Sequence, residues 1–436
     1  MLDFLFTTNS SVQVREKKTF LKNLKDFQEI EKDFFSYYGI ETPNPTPKNN
    51  LRLLKEVIPF ALKELPTVLV TGTNGKGQTC LEMALWCEEN KRPYLLFTSP
   101  HLVSLQERFR VLGRWISPEE FKQSWQQAKE IEEKYNINFS FYESVFLIFC
   151  LWGNSLNPSS ETLLIAEIGV GGRLDCCNTL EPKVSVITSI GRDHQELLGN
   201  SYLSILKEKW GIARPSIPII TGFTLKYLLK FAKQLSVKNQ NLWENVGENI
   251  ETKKEEALTF DSHNSLMAQR ALQVLYPNII VRLRDSHARF FKLRYKGHSL
   301  LLSGAHNPAG IKSLIQYMKA KNPSLPIKAI LLAFSKRKKE DCLAMIKSLF
   351  EGFSEASIFL ACFSHTKSLS FEGLEEISRS LVYPKTKKNI HWVGLDQFLL
   401  EQKTLELQDS YLLICGSYYF LGEIFKEILT REEETL

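Results

Sequence analysis

The segment at residues 68–79 reads VLVTGTNGKGQT. Three β-formers run into a loop that contains Gly72, Gly75 and Gly77, and a helix-compatible segment follows. A strand, a glycine-rich loop and a helix in this order wrap backbone N–H groups around a phosphate at the helix N-terminus. The glycines remove Cβ atoms where the backbone approaches the anion, and Lys76 supplies a positive charge for the outer phosphates. The segment therefore predicts a phosphate site.

This loop matches the general phosphate-loop pattern only in part. The spacing from Gly72 is G-x-x-G-K-G-x-T, whereas the general pattern is G-x-x-x-x-G-K-[ST]. A structural glycine turn beside a surface lysine is therefore the alternative to phosphate binding. The residues that follow the other strands bear on this choice.

Strand-like and helix-like segments alternate along most of the chain. Short, nearly continuous apolar runs predict buried parallel strands at 67–71, 94–98, 162–167, 184–190 and 217–221. A second series is predicted at 299–303, 328–334, 356–363, 389–393 and 411–415. Two consecutive series imply an α/β protein with two doubly wound domains, residues 1–287 and 288–436.

Helical periodicity predicts helices before and between these strands. A charged amphipathic pattern favours a helix over residues 17–38, apolar residues at helical spacing favour another over 51–65, and a further helix is expected over 264–275. The helix predicted over 143–152 is apolar nearly all round, so it is expected to pack deep against the sheet. Residues 238–256 are polar, with weak periodicity.

Composition indicates a soluble globular protein. The chain has 436 residues, of which 43% are apolar and 24% charged, with a net charge of +6. This charge favours small anionic substrates, but no Lys/Arg stripe interleaves with aromatic residues, so no nucleic-acid partner is expected. No apolar run approaches the roughly 20 residues of a membrane span. We expect a cytoplasmic protein, without a membrane partner and monomeric.

The eight cysteines form no C-x-x-C pair. Most lie in apolar strand-like or helical runs, which is typical of buried free thiols in a reducing compartment. The adjacent Cys176 and Cys177 raise the alternative of a metal or redox site, but no histidine or third cysteine lies at ligand spacing.

Polar residues follow three of the predicted strands. Ser99 comes after the second strand, Glu167 ends the third, and His194 follows the fourth. Because ligands of parallel sheets bind at the carboxyl ends of strands, these side chains are expected to converge beside Gly72–Gly77. Oxygen-rich donors beside a phosphate loop favour Mg²⁺. Ser99 alone could be a helix cap and His194 a structural histidine, but a buried unpaired carboxylate at Glu167 would be costly.

Eight motifs extend the argument beyond these residues. They are GTNGKG at 72–77, TSPH at 98–101, QERFRVLG at 106–113, EIGVGGRLDCCN at 167–178, DHQELLG at 193–199, EKWGIARP at 208–215, GAHNP at 304–308 and GSYYFLGE at 416–423. In this order they resemble the folylpolyglutamate synthase/dihydrofolate synthase family of Mur-type ATP-dependent ligases. The resemblance implies an N-terminal P-loop, Mur-ligase-type ATP-binding domain and a smaller C-terminal Rossmann-like glutamate-ligase domain.

The family's chemistry is ATP-dependent amide formation. ATP phosphorylates a carboxylate to an acyl phosphate, the amine of L-glutamate attacks it, and phosphate leaves. The resemblance thus implies ATP as co-substrate, Mg²⁺ as cofactor, and dihydropteroate or a folate as the acid. The sequence leaves open which acid is used, and whether both are.

The resemblance also implies roles for individual residues. The catalytic residues implied are Lys76, Lys209 and His306. The metal ligands implied are Ser99, Glu167 and His194. The ATP-binding residues implied are Asn74, Gly75, Lys76, Gly77, Gln78, Thr79, Asn264, Arg289 and Ser303. Contacts to the pterin substrate are implied for Tyr142, Glu143, Arg173 and Asp175, although a capped turn and a core-edge helix explain these four as well. Lys209 matches a lysine that the family carbamylates, and the alternative is an unmodified lysine on the acyl phosphate.

Two residues depart from the family pattern. Gln78 stands where Ser or Thr is usual, and Ser303 stands where Asp is usual before GAHNP. These changes motivate a competing hypothesis, a nucleotide-binding homologue that has lost catalysis. A third hypothesis is a related Mur-type ligase with a different acid substrate.

Overall fold

The structure is a computed structural model that describes residues 11–39, 41, 45–247, 260–278, 290–321, 325–363, 365–381, 386–391, 394–401 and 410–435. The chain divides into two compact units, one of residues 10–286 and one chiefly of residues 287–436. Each unit contains one β-sheet flanked by helices, and the predicted two-unit α/β class is confirmed.

The first unit has eight strands. They are β1 Thr67–Thr71, β2 Tyr94–Phe97, β3 Phe109–Val111, β4 Arg114–Trp115, β5 Leu163–Glu167, β6 Val184–Ile187, β7 Pro218–Thr221 and β8 Leu242–Asn245. Their order in the sheet is β4-β3-β2-β5-β1-β6-β7-β8. All neighbours pair in parallel except β2 with β3 and β3 with β4, which are antiparallel. The strand before the glycine-rich loop therefore lies inside the sheet, between β5 and β6.

Ten α-helices accompany this sheet. They are α1 Ser11–Tyr38, α2 Lys48–Val57, α3 Phe60–Lys63, α4 Lys76–Glu89, α5 Pro118–Tyr135, α6 Phe141–Ser155, α7 Gln195–Leu198, α8 Tyr202–Lys209, α9 Lys226–Asn239 and α10 Phe260–Leu275, and the number refers to the described part of the chain. Short 3-10 helices cover Leu105–Arg108, Cys176–Thr179 and Trp210–Ile212.

Alternation of apolar side chains builds one core on each face of this sheet. Val68 and Val70 pack with the layer of α4 and α10, whereas Leu69 packs with the layer of α1, α5 and α6. Phe146 and Phe149 of α6 are fully buried, so the prediction that this helix packs deep is confirmed. A strand buried on both faces holds the loop that follows it in a fixed position.

The prediction of one continuous helix over residues 51–65 is wrong, because the helix is interrupted in the middle. The structure has two helices, α2 and α3, separated at Ile58 and Pro59. Proline lacks the N–H that a continuous helix needs and restricts the residue before it, so the helix ends there despite the apolar periodicity.

The second unit has six strands. They are β9 Phe290–Tyr295, β10 His298–Ser303, β11 Ile327–Ala333, β12 Ser357–Cys362, β13 Thr386–His391 and β14 Tyr411–Cys415, in the order β13-β12-β11-β14-β10-β9. Only β9 is antiparallel to its neighbour. The described helices of this unit are α11 Pro308–Lys321, α12 Lys339–Gly352, α13 Phe371–Arg379, α14 Leu395–Glu401 and α15 Tyr418–Thr435.

All ten predicted strands are present, with bounds that differ by at most three residues. The sequence did not predict β3, β4, β8 and β9, which lie at or beside sheet edges. No helix in the described ranges has the length and apolar character to cross a membrane.

Candidate active site

The glycine-rich loop joins β1 to α4 and is held by the loop after β6. Thr188 Oγ1 and Ser189 Oγ both donate to the carbonyl of Asn74, at 2.7 and 2.9 Å, and Asn74 N–H donates back to Ser189 Oγ at 2.9 Å. A Cβ on Gly72 would lie 1.8 Å from Thr188 Oγ1, so only glycine permits this approach. Gly75 has a left-handed φ of 91° at the N-terminus of α4. The loop is thus preorganised by its own sheet.

Two lysines meet at this loop. Lys76 Nζ and Lys209 Nζ both donate to the carbonyl of Gly72, at 3.3 and 2.9 Å. Lys209 is only 3% exposed, and burial, with the charge of Lys76, lowers its pKa to about 7. Near physiological pH, Lys209 is therefore a neutral amine in a large fraction of the protein molecules.

The pKa of Lys209 predicts a pH dependence of stability. The pKa is about 7 in the folded protein and 10.5 for an ordinary lysine, so between these values the unfolded chain binds more protons. The free energy of unfolding should therefore rise with pH in this interval, by up to about 1.4 kcal/mol per pH unit from this group. Urea unfolding of wild type and Lys209→Met in CO₂-free buffer at two pH values above 7 measures the effect. Equal pH dependence in both proteins would contradict the prediction.

Two of the predicted metal ligands, Ser99 and Glu167, lie at the ends of β2 and β5, and His194 lies in the segment after β6, at the start of α7. Ser99 N–H donates to Glu167 Oε2 at 3.0 Å, and a Cβ on Gly77 would lie 3.2 Å from the same oxygen. The structure therefore brings Ser99, Glu167 and the start of α4 together. Glu167 is 4% exposed, and burial raises its pKa to about 7 against the opposing charge of Lys76. A buried carboxylate of this kind accepts a cation readily, because the cation replaces the proton.

Within the described part of the chain, no hydrogen bond joins His194 to Ser99 or Glu167. The charges of the site act on its pKa through space. His194 has a left-handed φ of 48° and begins the short helix α7. Burial lowers the pKa of His194, Lys76 and Lys209 lower it further, and Asp193 opposes them. This shift favours the neutral imidazole, which is the form that binds a metal. A hydroxyl, a carboxylate and an imidazole are a donor set that fits a divalent cation beside phosphates.

A second cluster also brings three side chains that could bind a metal close together. Among the described residues, the ligand atoms of Asp175, Cys176 and Cys177 lie within 4.8 Å of one another. Asp175 already accepts N–H groups of Gly169, Val170 and Cys177, at 3.0, 3.3 and 2.9 Å. Burial raises the pKa of both thiols, so they stay protonated. The eight cysteines are free, as predicted, and seven are buried.

Asp175 therefore stabilises the conformation of the loop that follows β5. Its two oxygens satisfy three backbone N–H groups in a buried place, and Asp175→Asn would turn an N–H₂ group toward at least one of them. The free energy of unfolding should fall by about 1–3 kcal/mol, the cost of an unpaired buried group. Urea unfolding followed by circular dichroism measures this, with Asp33→Asn on the exposed side of α1 as the matched control. Equal stability of the two variants would contradict the assigned role.

The other predicted substrate contacts have partners within the protein. Glu143 caps α6 through Ser140 and accepts from Asn50 Nδ2 at 2.9 Å. Tyr142 OH donates to the carbonyl of Glu167 at 3.3 Å. Arg173 is exposed and forms an ion pair with Glu208 at 3.0 Å. Tyr142 thus lies beside the strand end that carries Glu167, whereas Glu143 uses Oε2 for its helix cap and has Oε1 buried without a hydrogen-bond partner among the described residues.

Of the remaining predicted nucleotide contacts, Asn264 and Gln78 lie against the loop. Asn264 Nδ2 donates to Gln78 Oε1 at 2.6 Å, and both side chains are buried. Thr79 is fully buried on α4.

In the second unit, His306 and Ser303 lie at the end of β10. His306 Nδ1 contacts the carbonyl of Gly304 at 2.9 Å, and Arg337 donates to the carbonyl of His306. Ser303 Oγ accepts the N–H of Ala305 at 3.3 Å. Arg289 lies outside the described residues.

Sequence reasoning missed Arg108. Its side chain is fully buried, forms an ion pair with Glu41 at 2.6 Å and donates to His101 Nδ1 at 3.0 Å. Its charge also lowers the pKa of Glu167. The residue lies in the QERFR motif, directly before the apolar Phe109, and its place in that motif was the available signal. Thr188 and Ser189 were missed because they were predicted as part of a strand.

Comparisons with known proteins show what this chain is similar to. No family model matches the sequence. The dihydrofolate synthase/folylpolyglutamate synthase of Bacillus subtilis (strain 168) is 28% identical over 403 residues, which cover 84% of this chain and 91% of that protein. Over most of its length the chain is therefore similar to the dihydrofolate synthase/folylpolyglutamate synthase family. Another relative in this family, the probable dihydrofolate synthetase of Schizosaccharomyces pombe, is 23% identical, and the alignment covers 82% of this chain and 92% of that protein.

Solved structures in the dihydrofolate synthase/folylpolyglutamate synthase family share the fold. E. coli FolC in complex with DHPP and ADP has a TM-score of 0.74 at 20% identity, covering 93% of this chain and 98% of that one. Mycobacterium tuberculosis folylpolyglutamate synthase complexed with ADP has a TM-score of 0.77 at 17% identity, covering 93% and 99%. A bifunctional family member with Mn, AMPPNP and L-glutamate bound has a TM-score of 0.71 at 21% identity, covering 92% and 98%.

Proposed function

We propose that the protein is an ATP-dependent, divalent-metal-dependent ligase that joins L-glutamate to dihydropteroate, to a folate, or to both. The observation that carries the proposal is the meeting of Lys76, Lys209 and the buried carboxylate of Glu167 beside the loop at Gly72. A chain with a preorganised anion loop and the ammonium of Lys76 beside it is equipped to hold a nucleoside triphosphate.

The reaction needs charge neutralisation and alignment more than covalent catalysis. A substrate carboxylate oxygen attacks the γ-phosphorus of ATP, and ADP leaves. The glutamate amine then attacks the acyl carbon, loses a proton, and displaces inorganic phosphate to form the amide. In this scheme the N–H groups at the start of α4 and the ammonium of Lys76 hold the phosphates of ATP, and Asn74, Gly75, Gly77, Gln78 and Thr79 surround them.

The metal site proposed here consists of Ser99, Glu167 and His194. The buried Glu167 carboxylate supplies the negative charge, and the other two supply neutral donors. A divalent cation bound there would neutralise phosphate charge. Tyr142 and Arg173 are proposed to lie near the acid substrate, since Tyr142 borders the same strand end.

Lys209 is proposed to be carbamylated. Carbon dioxide reacts with a neutral amine, and the lowered pKa of Lys209 makes this form abundant. The carbamate would exchange a cation for an anion beside the metal and relieve the repulsion from Lys76. Intact-mass measurement of active protein in bicarbonate buffer tests this, and a bare Lys209 in active enzyme would reject the carbamate in favour of an unmodified lysine.

The C-terminal unit, proposed for residues 288–436, is assigned the glutamate half of the reaction, with His306 as its catalytic residue. His306 follows β10 directly, at the carboxyl end of a parallel strand, where α/β proteins bind ligands. Arg289 and Ser303 are proposed to contact the nucleotide, as the family resemblance implies.

The decisive experiment measures phosphate release with dihydropteroate, tetrahydrofolate or no acid, each with and without L-glutamate. The proposal expects phosphate only when acid and glutamate are both present, with a product heavier by one glutamate residue. Nucleotide binding without any turnover would favour the competing hypothesis, a homologue that has lost catalysis, which Gln78 and Ser303 motivate. Turnover that requires a different acid, with none on dihydropteroate or tetrahydrofolate, would identify a different Mur-type ligase.

A further inference from the structure

Two carboxamide side chains are paired beside the phosphate loop. Gln78, in the first turn of α4, is 8% exposed, and Asn264 of α10 is fully buried. Asn264 Nδ2 donates to Gln78 Oε1 at 2.6 Å across 186 positions of sequence. The hydroxyl usual at position 78 in the family is too short to make this contact from the same backbone position.

The other end of the Asn264 carboxamide faces the loop without a partner. Asn264 Oδ1 is buried and has no hydrogen-bond partner among the described residues. It lies 2.2 Å from the position that a Cβ on Gly75 would occupy, so it occupies the space that this glycine leaves open. Thr79 Oγ1, one turn away, is also buried without a partner in the described part of the chain.

An unpartnered acceptor is the wrong group to face a phosphate. Phosphate oxygens accept hydrogen bonds, so an anion beside Gly75 would favour the Nδ2 end of Asn264 rather than its oxygen. Both partners are carboxamides, so each can turn by half a rotation and keep a hydrogen bond between them. Gln78 Nε2 would then donate to Asn264 Oδ1, and Asn264 Nδ2 would face the loop.

We propose that Gln78 is a positioning residue for the nucleotide, and that it acts by setting the orientation of the Asn264 carboxamide at Gly75. The inference rests on the proposed function, because it takes the ligand of this loop to be a nucleotide phosphate. The pair replaces the missing hydroxyl of position 78 with an N–H donor supplied by Asn264. A Glu at this position would keep the present contact but could not donate, so it would hold the Asn264 oxygen toward the loop.

A double-mutant cycle tests the inference through ADP affinity, measured by calorimetry with Mg²⁺ present. The variants are Gln78→Met, Asn264→Leu and the double variant, with Gln126→Met on the exposed face of α5 as the matched control. Loss of one positioned hydrogen bond should weaken ADP binding about tenfold for Gln78→Met. In the Asn264→Leu background the same change should have an effect of less than about threefold, because Gln78 acts through Asn264.

Gln78→Glu is the second variant, which allows the test if Gln78→Met does not fold. Its negative charge repels the phosphates in both backgrounds, so the measure is the additional loss of ADP affinity in wild type over that in Asn264→Leu, which should be about tenfold. Equal losses in both backgrounds, for either variant, would overturn the inference. A lower melting temperature of the nucleotide-free protein with unchanged ADP affinity would also overturn it, since that is a structural role. Wild type that binds no ADP would instead refute the proposed function.

Discussion

Glu167→Gln is expected to remove metal-dependent turnover while leaving the fold intact. The glutamine oxygen can still accept the N–H of Ser99, so the strand end keeps its hydrogen bond. The negative charge is lost, and the charge is what a divalent cation needs from this buried place. Removing one member of a buried charge pair costs several kcal/mol, so Mn²⁺ affinity in the presence of ADP should fall by on the order of 100-fold or more.

Mn²⁺ titration followed by electron paramagnetic resonance measures this affinity, and phosphate release at rising Mg²⁺ measures the turnover. Glu161→Gln is the matched control, since Glu161 precedes the same strand at its opposite, exposed end. Wild-type metal affinity in the Glu167→Gln protein would show that the cation lies elsewhere. The group at Asp175 would then be the first alternative to test.

Glu167 also shows how far the sequence alone can go. A carboxylate that ends an apolar strand can be predicted to lie at the carboxyl edge of a parallel sheet. The phosphate loop, the strand series and the neighbouring Ser99 follow from the same rule. They are local patterns, whereas the sheet order, in which β5 lies between β1 and β2, does not follow from them.

Other carboxylates among the predicted site residues could not be judged in this way. Glu143 and Asp175 have the same chemistry as Glu167, but Glu143 is held by Ser140 and Asn50, and Asp175 by backbone N–H groups of its own loop. Whether a carboxylate is used internally depends on donors brought close by folding. The sequence has no signal for a donor such as Asn50, which lies 93 positions from Glu143.

The same limit applies to contacts between distant helices. In the sequence, Gln78 stood among the implied ATP-binding residues and marked the loss of a hydroxyl, with no sign of a partner. The structure pairs it with Asn264, because α10 packs on the face of the sheet that also carries α4. The edge strands β3 and β4 were missed for another reason, since runs of three and two residues are too short for a period of two to be recognised.

Lys76→Met is expected to have the largest effect of any single substitution, a loss of phosphate release on the order of 1000-fold or more. Lys76 lies where its charge acts on three groups of the candidate site. It lowers the pKa of Glu167, of His194 and of Lys209. Its removal therefore takes away the phosphate cation, and it also favours a proton on Glu167 in place of a metal. ADP affinity should fall as well, by a smaller factor, because the backbone N–H groups at the start of α4 remain.

Lys76→Arg separates the role of charge from that of shape. The guanidinium keeps the charge but is planar and larger than an ammonium, so it should not restore activity beside the buried Lys209. Lys122→Met, on the exposed side of α5, is the matched control and should retain full phosphate release. Restored turnover in Lys76→Arg would show that any cation at this position suffices. Retained turnover in Lys76→Met would mean that the loop at Gly72–Gly75 is a structural turn, and the ligase proposal would lose its phosphate site.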